Sequence, residues 1–228
     1  MSGIGGAATL FDVQQVEVLR GPQGTLYGAN ALAGLINVTT PPPSAEHGAK
    51  IRLDAGEYDT LGLGAVLSGP ILEQSGYRIS VQQYRDDGFV DNDFTGEDDT
   101  NNHDELTIRA KFAGQTDARD WQVAIGRIDV ENGYDAFSLD NNRTTLSDQP
   151  GVDEQKTDYL AASFGQDFAS MRLEVSGALA DTEIAYGYDE DWTFTGFDPI
   201  GYTSFDLYER ERQTTTLDLR LLSQPGVG

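Results

Sequence analysis

The chain has 228 residues, a formal net charge of −23, two histidines and no cysteine. The absence of cysteine excludes disulfides and thiolate metal sites, and two histidines as distant as His47 and His103 do not favour a zinc centre. So acidic a surface repels phosphate backbones, which argues against nucleic acid as a partner. The sequence offers neither a Ser/His/Asp arrangement nor a distinct carboxylate pair, so no enzyme activity and no cofactor are predicted.

The first structured segment is expected at residues 16–28, VEVLRGPQGTLYG. Val16 and Val18 alternate with polar residues as in a strand, and the glycines and proline that follow predict an abrupt end and tight turns. A glycine-rich turn after a strand can bind phosphate, but a P-loop requires a lysine that this stretch lacks. The segment therefore predicts a strand and a turn without a nucleotide site.

A rigid break at Pro41–Pro43 suits a boundary. Beyond it, apolar and polar residues alternate in eight successive segments, a period of two that is typical of strands with one apolar face. The eight apolar series run through Ile51–Ala55, Leu61–Leu67, Tyr77–Val81, Leu106–Phe112, Trp121–Ile125, Leu160–Phe164, Met171–Val175 and Leu217–Leu221.

The connections between these strands alternate in length. Short links are expected at 56–59, 69–76, 114–120 and 166–170, and long loops at about 86–104, 129–158 and 189–211. Short turns at one rim and long loops at the other are typical of an outer-membrane β-barrel. A soluble β-sandwich also alternates along its strands, but it gives no reason for loops sorted by length or for bulky cations such as Arg109 and Lys111 on one face.

Residues 12–40, DVQQVEVLRGPQGTLYGANALAGLINVTT, resemble the last part of the plug domain of TonB-dependent outer-membrane receptors. The stretch LSGPI at 67–71 is similar to the first periplasmic turn of that family, and TTTLDLRLLS at 214–223 is similar to one of its barrel strands. The residues that carry the plug resemblance are Glu17, Arg20, Gly21, Pro22, Gly24, Tyr27, Gly28, Gly34 and Asn37.

The resemblance implies a mainly β fold with a partial plug domain at 1–43. It is followed at 44–228 by the first eight antiparallel strands of a larger transmembrane β-barrel of the 22-stranded type. The chain is then an internal fragment of a longer receptor. Eight strands closed on themselves leave too little interior for residues 1–40, so we expect an open wall with the plug remnant against its lumen face.

In this family plug arginines pair with glutamates of the barrel wall. The resemblance implies a plug–barrel contact between Arg20 and Asp218, an aspartate standing where glutamate is usual. The alternative is that Glu17 and Arg20 pair with each other within the plug.

The three long loops hold 23 of the 38 acidic residues. Asp91–Gly96 imitates the start of an EF-hand, but Asn102 stands where the bidentate glutamate belongs, so no metal site is predicted. Tyr134, Phe137, Tyr188 and Trp192 are candidates for contact with a ligand, because aromatic rings offer flat binding faces. The alternative is that they form a membrane-interface girdle or pack the loops.

The resemblance also implies a function, which is active import across the outer membrane of a Gram-negative bacterium. TonB would act through the N-terminal part of the receptor, and outer-membrane lipid would surround the wall. The expected cargo is a ferric siderophore, and cobalamin, haem or an oligosaccharide are alternatives within the family. A small non-transporting barrel or a surface-binding module is the alternative from another class.

Overall fold

The computed structural model of the chain describes residues 10–21 and 34–223, in which the regular secondary structure is β-strand. No helix in these two ranges is long and apolar enough to cross a membrane. The strands are β1 Gln15–Arg20, β2 Gly34–Thr39, β3 Gly48–Ala55, β4 Leu61–Leu72, β5 Ser75–Asp86, β6 Asp91–Asn92, β7 His103–Gln115, β8 Arg119–Tyr134, β9 Thr144–Thr145, β10 Gly151–Asp167, β11 Met171–Asp189 and β12 Phe205–Ser223.

Eight of these strands form one antiparallel sheet in the order β12-β11-β10-β8-β7-β5-β4-β3. Each strand pairs with the next long strand along the chain, as expected where short turns and loops connect antiparallel neighbours. β3 and β12 stand at opposite edges and do not pair with each other, so the sheet is open. The prediction of eight antiparallel strands in an unclosed wall is therefore confirmed. β1 and β2 form a separate antiparallel pair, the N-terminal hairpin.

The sheet has one apolar face that the described residues leave uncovered. Because side chains alternate between faces with a period of two, the register brings the predicted apolar series together, for example Ile125 opposite Leu160 and Leu160 opposite Leu179. Large side chains on this face are exposed on interior strands, with Leu67 at 53%, Leu179 at 52% and Ile125 at 46%. An exposed apolar surface of this extent requires a hydrophobic environment.

The opposite face, here called the polar face, carries cations that include Arg78, Arg109 and Lys111. These side chains lie on adjacent strands, because Arg78 pairs with Lys111 and Ser80 pairs with Arg109 across β5 and β7. The hydrophobic residues that are almost fully buried in the described ranges are only Phe11, Val66 and Val90. The sheet thus places its apolar residues outward rather than in a central core.

The strands extend further than the alternation predicted. β8 continues to Tyr134 and β10 begins at Gly151, so the loop expected at 129–158 spans only 135–150. Likewise β11 and β12 reach Asp189 and Phe205, which shortens the third loop to 190–204. The apolar face on β11 ends at Leu179, and beyond it both faces carry polar residues. The sequence then shows no period of two, although the backbone remains extended.

The predicted turn at 67–71 is wrong. These residues lie inside β4, and the connection to β5 consists of Glu73 and Gln74. The register shifts between Pro70 and Leu72, and such an irregularity is where a strand tolerates proline. The resemblance therefore placed the turn a few residues too early, whereas the short link expected at 69–76 contains it.

The N-terminal hairpin depends on a glycine at the start of its second strand. Gly34 has a φ of +149°, and a Cβ there would lie 2.6 Å from the carbonyl oxygen of Leu19. A larger residue would therefore clash with β1. Val18 and Ile36 on the hairpin are 63% and 66% exposed, so nothing in the described ranges covers them.

Candidate functional site

The N-terminal hairpin is attached to the polar face by an ion pair just before β1. The Arg78 guanidinium donates from Nε to Asp12 Oδ2 at 2.8 Å and from Nη2 to Asp12 Oδ1 at 2.5 Å. Only 8% of the Asp12 side chain and 17% of the Arg78 side chain are exposed. Two parallel bonds with little access of water make this a strong contact, and they fix the orientation of the guanidinium relative to the carboxylate.

Two further cations of the polar face bind backbone carbonyls at both ends of the hairpin. Arg109 donates to the carbonyl oxygen of Phe11. Lys111 Nζ donates to Thr40 Oγ1 at 2.6 Å, to the Thr40 carbonyl at 3.0 Å and to the Pro41 carbonyl at 3.2 Å. The segments that enter and leave the hairpin are therefore held side by side on β5 and β7.

Phe11 completes this contact, which we call the seam. Its ring is 5% exposed, and it packs on Gly64 of β4 so closely that a Cβ at Gly64 would lie 2.6 Å from Phe11 Cε2. A cavity of about 50 Å³ remains at the seam, lined in part by Asp12, Arg78 and Ser80. The glycine on β4 therefore provides the space in which the hairpin docks.

Aromatic side chains gather at the loop end of the polar face. Phe137 stacks on Trp192 with a centroid distance of 5.0 Å, and it meets the edges of Tyr134 and Tyr188 at 5.8 and 5.7 Å. Tyr186 joins Tyr134 at 5.1 Å and Tyr188 at 5.8 Å. The four aromatic residues selected from the sequence thus lie together. With Tyr186 they form what we call the aromatic cluster.

The cluster is only partly covered and so presents ring surface. Trp192 is 37% exposed and the other four rings are half-buried. One row of paired residues crosses the sheet from Arg109 at the seam to β11, through Gly126, Tyr159 and Ala180. Tyr186 of the cluster lies six residues along β11 from Ala180. At about 3.3 Å per residue, the cluster stands roughly 20 Å from the seam along the strands.

The three long connections form a single loop cap, defined as residues 87–102, 135–150 and 190–204. Asp135 is 4% exposed, and its Oδ2 accepts hydrogen bonds of 2.8 Å from Asn92, Thr100 and Thr145. β6 and β9 pair as a short parallel sheet between the first two loops. The EF-hand-like start therefore serves loop packing, because Asn92 is buried against Asp135.

The third loop joins the cap through side chains as well as backbone. Asp148 Oδ2 accepts from the backbone N–H of Thr195 at 3.0 Å, and Phe94 stacks on Phe194 at 4.7 Å. Within the described ranges no group of three or more His, Cys, Asp or Glu side chains is placed to hold a metal ion. The cap is thus packed by hydrogen bonds and rings.

A carboxyl pair supports the turn that carries Trp192. Asp189 Oδ1 accepts from the backbone N–H groups of Asp191 and Trp192 at 3.1 and 3.2 Å. Asp189 lies at the loop cap, ten residues beyond the end of the apolar face. Burial raises the pKa of Asp189 to about 6, and the neighbouring Asp191 carboxyl acts in the same direction. Burial opposes ionisation of Asp191 as well, but the Ser204 N–H and the Asp189 carboxyl hold its pKa below the ordinary value.

The structure places the remaining predicted site residues as follows. Asn37 Nδ2 donates to Glu17 Oε2 at 2.8 Å, which joins the two strands of the hairpin. Gly21, with a φ of +85°, follows β1 directly. Pro22, Gly24, Tyr27 and Gly28 lie outside the described residues.

Arg20 and Asp218 are not brought together. Asp218 Oδ1 lies 2.7 Å from Arg220 Nε on the same strand. Arg20 is exposed and forms no ion pair with another described residue, including Glu17. The contact between hairpin and sheet is made instead by Asp12, Arg78 and their neighbours. The alternation in the sequence predicts Arg109 and Lys111 as bulky cations on one face, but it does not predict their partners.

Comparison with known proteins connects this arrangement to a group of bacterial receptors. No protein-family model matches the chain. The pesticin receptor of Yersinia pestis is 30% identical over 188 residues, which is 81% of this chain and 26% of the receptor. The vitamin B12 transporter BtuB of Vibrio vulnificus is 25% identical over 176 residues, which is 75% of this chain and 27% of the transporter.

Solved structures agree on the fold. The ferric yersiniabactin uptake receptor FyuA from Yersinia pestis matches with a TM-score of 0.77 and 22% identity, covering 95% of this chain and 34% of that one. The siderophore receptor PiuA from Acinetobacter baumannii matches with a TM-score of 0.74 and 13% identity, covering 96% and 33%.

The chain belongs to the TonB-dependent receptor family. It spans about a quarter of the length of the curated relatives, 26% of the pesticin receptor and 27% of BtuB. These relatives are receptors and transporters rather than enzymes. For a TonB-dependent receptor, the open eight-stranded sheet is a stretch of barrel wall and its polar face is the lumen face, to which the segments that flank the N-terminal hairpin are bound.

Proposed function

We propose that the receptor containing this chain imports a ferric siderophore across the outer membrane of a Gram-negative bacterium. Residues 1–43 form the last part of its plug, and residues 44–228 form the first eight strands of its barrel wall. The named relatives include a ferric yersiniabactin uptake receptor and a siderophore receptor, which supports this choice of cargo.

The observation that carries the proposal is the opposite use of the two faces of the sheet. One face is apolar and exposed even on interior strands, as with Leu67 at 53% and Leu179 at 52%, and it suits contact with lipid. The other binds the N-terminal hairpin through Arg78, Arg109 and Lys111. A soluble β-sandwich would bury its apolar face against a second sheet.

The seam indicates how such a receptor closes its lumen. Polar bonds at 11–12 and 40–41 hold both ends of the hairpin, whereas its strands themselves are held to the wall less extensively. A pull from the periplasm can therefore rearrange other parts of the plug before the seam separates. TonB is the partner that supplies this pull, through the part of the receptor that precedes the plug remnant. The chain supplies binding and gating, not catalysis.

The aromatic cluster is the surface that the proposal assigns to the ligand. Its rings come from β8, β11 and two loops of the cap, and Trp192 and Phe137 of those loops form a stacked pair at 5.0 Å. Rings in this position can stack on planar groups of a chelator. Cobalamin is the second candidate cargo, because BtuB is 25% identical over 75% of this chain.

The test uses the full-length receptor as the single siderophore receptor of two Gram-negative strains, one with TonB and one without it. Ferric catecholate, phenolate and hydroxamate chelates labelled with radioactive iron are supplied in turn, and labelled cobalamin is supplied in parallel. We expect one ferric chelate to bind in both strains and to enter only the strain with TonB. Entry of cobalamin alone favours the second cargo. Equal entry in both strains, or no entry of any probe, contradicts the proposal.

A further inference from the structure

The cavity of about 50 Å³ at the seam carries more positive than negative charge. Arg78, Arg109 and Lys111 line it, and among the described lining residues Asp12 alone is a carboxylate. Asp12 is neutralised by Arg78, which binds it through two hydrogen bonds. Two positive charges therefore remain at the cavity without an ion-pair partner in the described ranges, although the chain has only 15 basic residues against 38 acidic ones.

The hydrogen bonds of these two cations, Arg109 and Lys111, do not cancel their charges. Their acceptors are backbone carbonyls and the Thr40 hydroxyl, which are neutral dipoles. The two side chains are half-buried, and they lie two residues apart on the same face of β7, where like charges repel. A charge withdrawn from water without a counter-charge is costly. An anion between the two cations would therefore stabilise the seam.

Two hydroxyl groups add uncharged donors to the same cavity. Ser80, which is 4% exposed, pairs with Arg109 across β5 and β7. The Tyr159 ring lies over Gly126, where a Cβ would be 2.5 Å from the Tyr159 hydroxyl oxygen. Gly126 pairs with Arg109 from the β8 side. Neither hydroxyl has a hydrogen-bond partner in the part of the chain that the structure describes, so both can donate into the cavity.

The size of the cavity selects a small ion. A single water molecule requires roughly 10–15 Å³ of such space. The cavity of about 50 Å³ therefore has room for a monatomic anion with water beside it. A ferric chelate is far larger than this space, so the cavity is separate from any site for the cargo.

We propose that the seam binds a small monovalent inorganic anion, with chloride as its representative, between Arg109 and Lys111. Ser80 and Tyr159 donate to the same ion. The bound anion reduces the repulsion between the cations and so stabilises the docked hairpin, and its loss weakens the seam. This inference goes beyond the proposed function, because it concerns how the hairpin is held and applies to any cargo.

The experiment measures chloride binding to the purified full-length receptor through the line width of the chloride-35 NMR signal, which broadens when the ion is bound. We expect a saturable broadening that bromide removes by competition and the larger sulfate does not. Replacing both cations, as R109Q/K111Q, should weaken binding about tenfold or more, because hydrogen bonds from charged groups are lost. R127Q removes a cation from the outward face of β8, where Arg127 pairs with Asp158 at 3.1 Å, and should leave the broadening unchanged.

A second variant places a carboxylate in the cavity and keeps both cations. S80D supplies a fixed anion on the residue paired with Arg109, and S80N is its uncharged control of similar size. In chloride-free gluconate buffer, S80D should unfold at a temperature at least as high as S80N, because the cations compensate its carboxylate. A buried carboxylate without such cations would instead destabilise the receptor. S80D should also remove the same part of the broadening as R109Q/K111Q.

The outcomes are decisive for the anion site alone. Absence of saturable broadening in the parent receptor, or broadening of equal affinity in R109Q/K111Q, overturns the inference. A lower unfolding temperature of S80D than of S80N overturns it as well. These measurements use neither a siderophore nor TonB, so their failure does not contradict the proposed import, and a failure of import does not contradict the anion site.

Discussion

Replacing Asp12 with alanine tests how firmly the N-terminal hairpin is held to the wall. The carboxylate makes two bonds to Arg78, at 2.8 and 2.5 Å, and both side chains are largely withdrawn from water. Removing one partner of a buried ion pair costs about 3–5 kcal/mol, because the other charge is left uncompensated. Arg109 and Lys111 add like charges nearby. Since every 1.4 kcal/mol is a factor of about ten, the population with an open seam should rise at least about a hundredfold.

The assay places a single thiol under the seam. Ser80 is 4% exposed and lines the cavity at Asp12 and Arg78, and the chain has no cysteine of its own. The Ser80→Cys side chain should therefore react with a maleimide only when the seam opens. The labelling rate is compared in the full-length receptor with and without Asp12→Ala.

The control removes an ion pair of the same type from an exposed position. Asp158 and Arg127 are 61% and 50% exposed, so Asp158→Ala should cost about 1 kcal/mol or less and change labelling by a few-fold at most. An equally small change in the labelling rate with Asp12→Ala would contradict a strong contact between Asp12 and Arg78. Adding Arg78→Met to Asp12→Ala should recover part of the protection, because the uncompensated charge is removed.

Three further predictions follow from the same structure. Gly64→Ala should also raise the labelling rate of the Ser80→Cys thiol, because the alanine Cβ would lie 2.6 Å from the Phe11 ring. Gly48→Ala, whose Cβ meets no atom within 4 Å, should leave the rate unchanged, and equal labelling of the two variants would contradict the packing of Phe11 on Gly64. Asp135→Ala should raise deuterium exchange in all three cap loops together, since it leaves three donors unsatisfied; a change confined to one loop would show that the cap is not one unit. The pKa of Asp189 is about 6 in the folded chain, above the ordinary value of 3.8. Protonation of Asp189 therefore stabilises the cap, fully at a pH below 3.8, and this stabilisation is lost as the pH rises through about 6. Cap exchange corrected for intrinsic rate should be slower at about pH 5 than at about pH 7, and a pH response that persists in Asp189→Asn would rule this out.

The sequence predicted the wall because its signal is local. Alternation along each strand follows from one apolar and one polar face, so Leu160 and Leu179 could be placed on the same face before their pairing was known. The alternation of apolar and polar residues also ends for a physical reason. Beyond the apolar face both sides of a strand are polar, and the outer ends of β8, β10 and β12 were therefore predicted as loops.

The seam could not be predicted, because its partners are distant in the chain. Asp12 and Arg78 are 66 positions apart, and Phe11 and Arg109 are 98 apart. The resemblance directed attention to Arg20 and Asp218, whereas Asp218 forms an ion pair with Arg220. Neighbouring cations on one face were visible in the sequence, but which part of the chain they bind depends on the curvature of the sheet and the docking of the hairpin.

The aromatic cluster was predicted in part. Tyr134, Phe137, Tyr188 and Trp192 were chosen as loop aromatics, and the structure shows that they meet on the lumen face. Tyr186 was missed because the alternation on β11 was traced only to Val175. Asp135 was missed because contacts between separate loops leave no periodic signal.

Photo-cross-linking tests the placement of the N-terminal hairpin on the lumen face most directly. A photoreactive azidophenylalanine in place of Phe11 preserves the ring that packs on Gly64. In the full-length receptor in its membrane, we expect an internal cross-link between position 11 and β4, Leu61–Leu72, identified by mass spectrometry. A cross-link to a distant part of the barrel, or reaction with solvent only, would contradict the account.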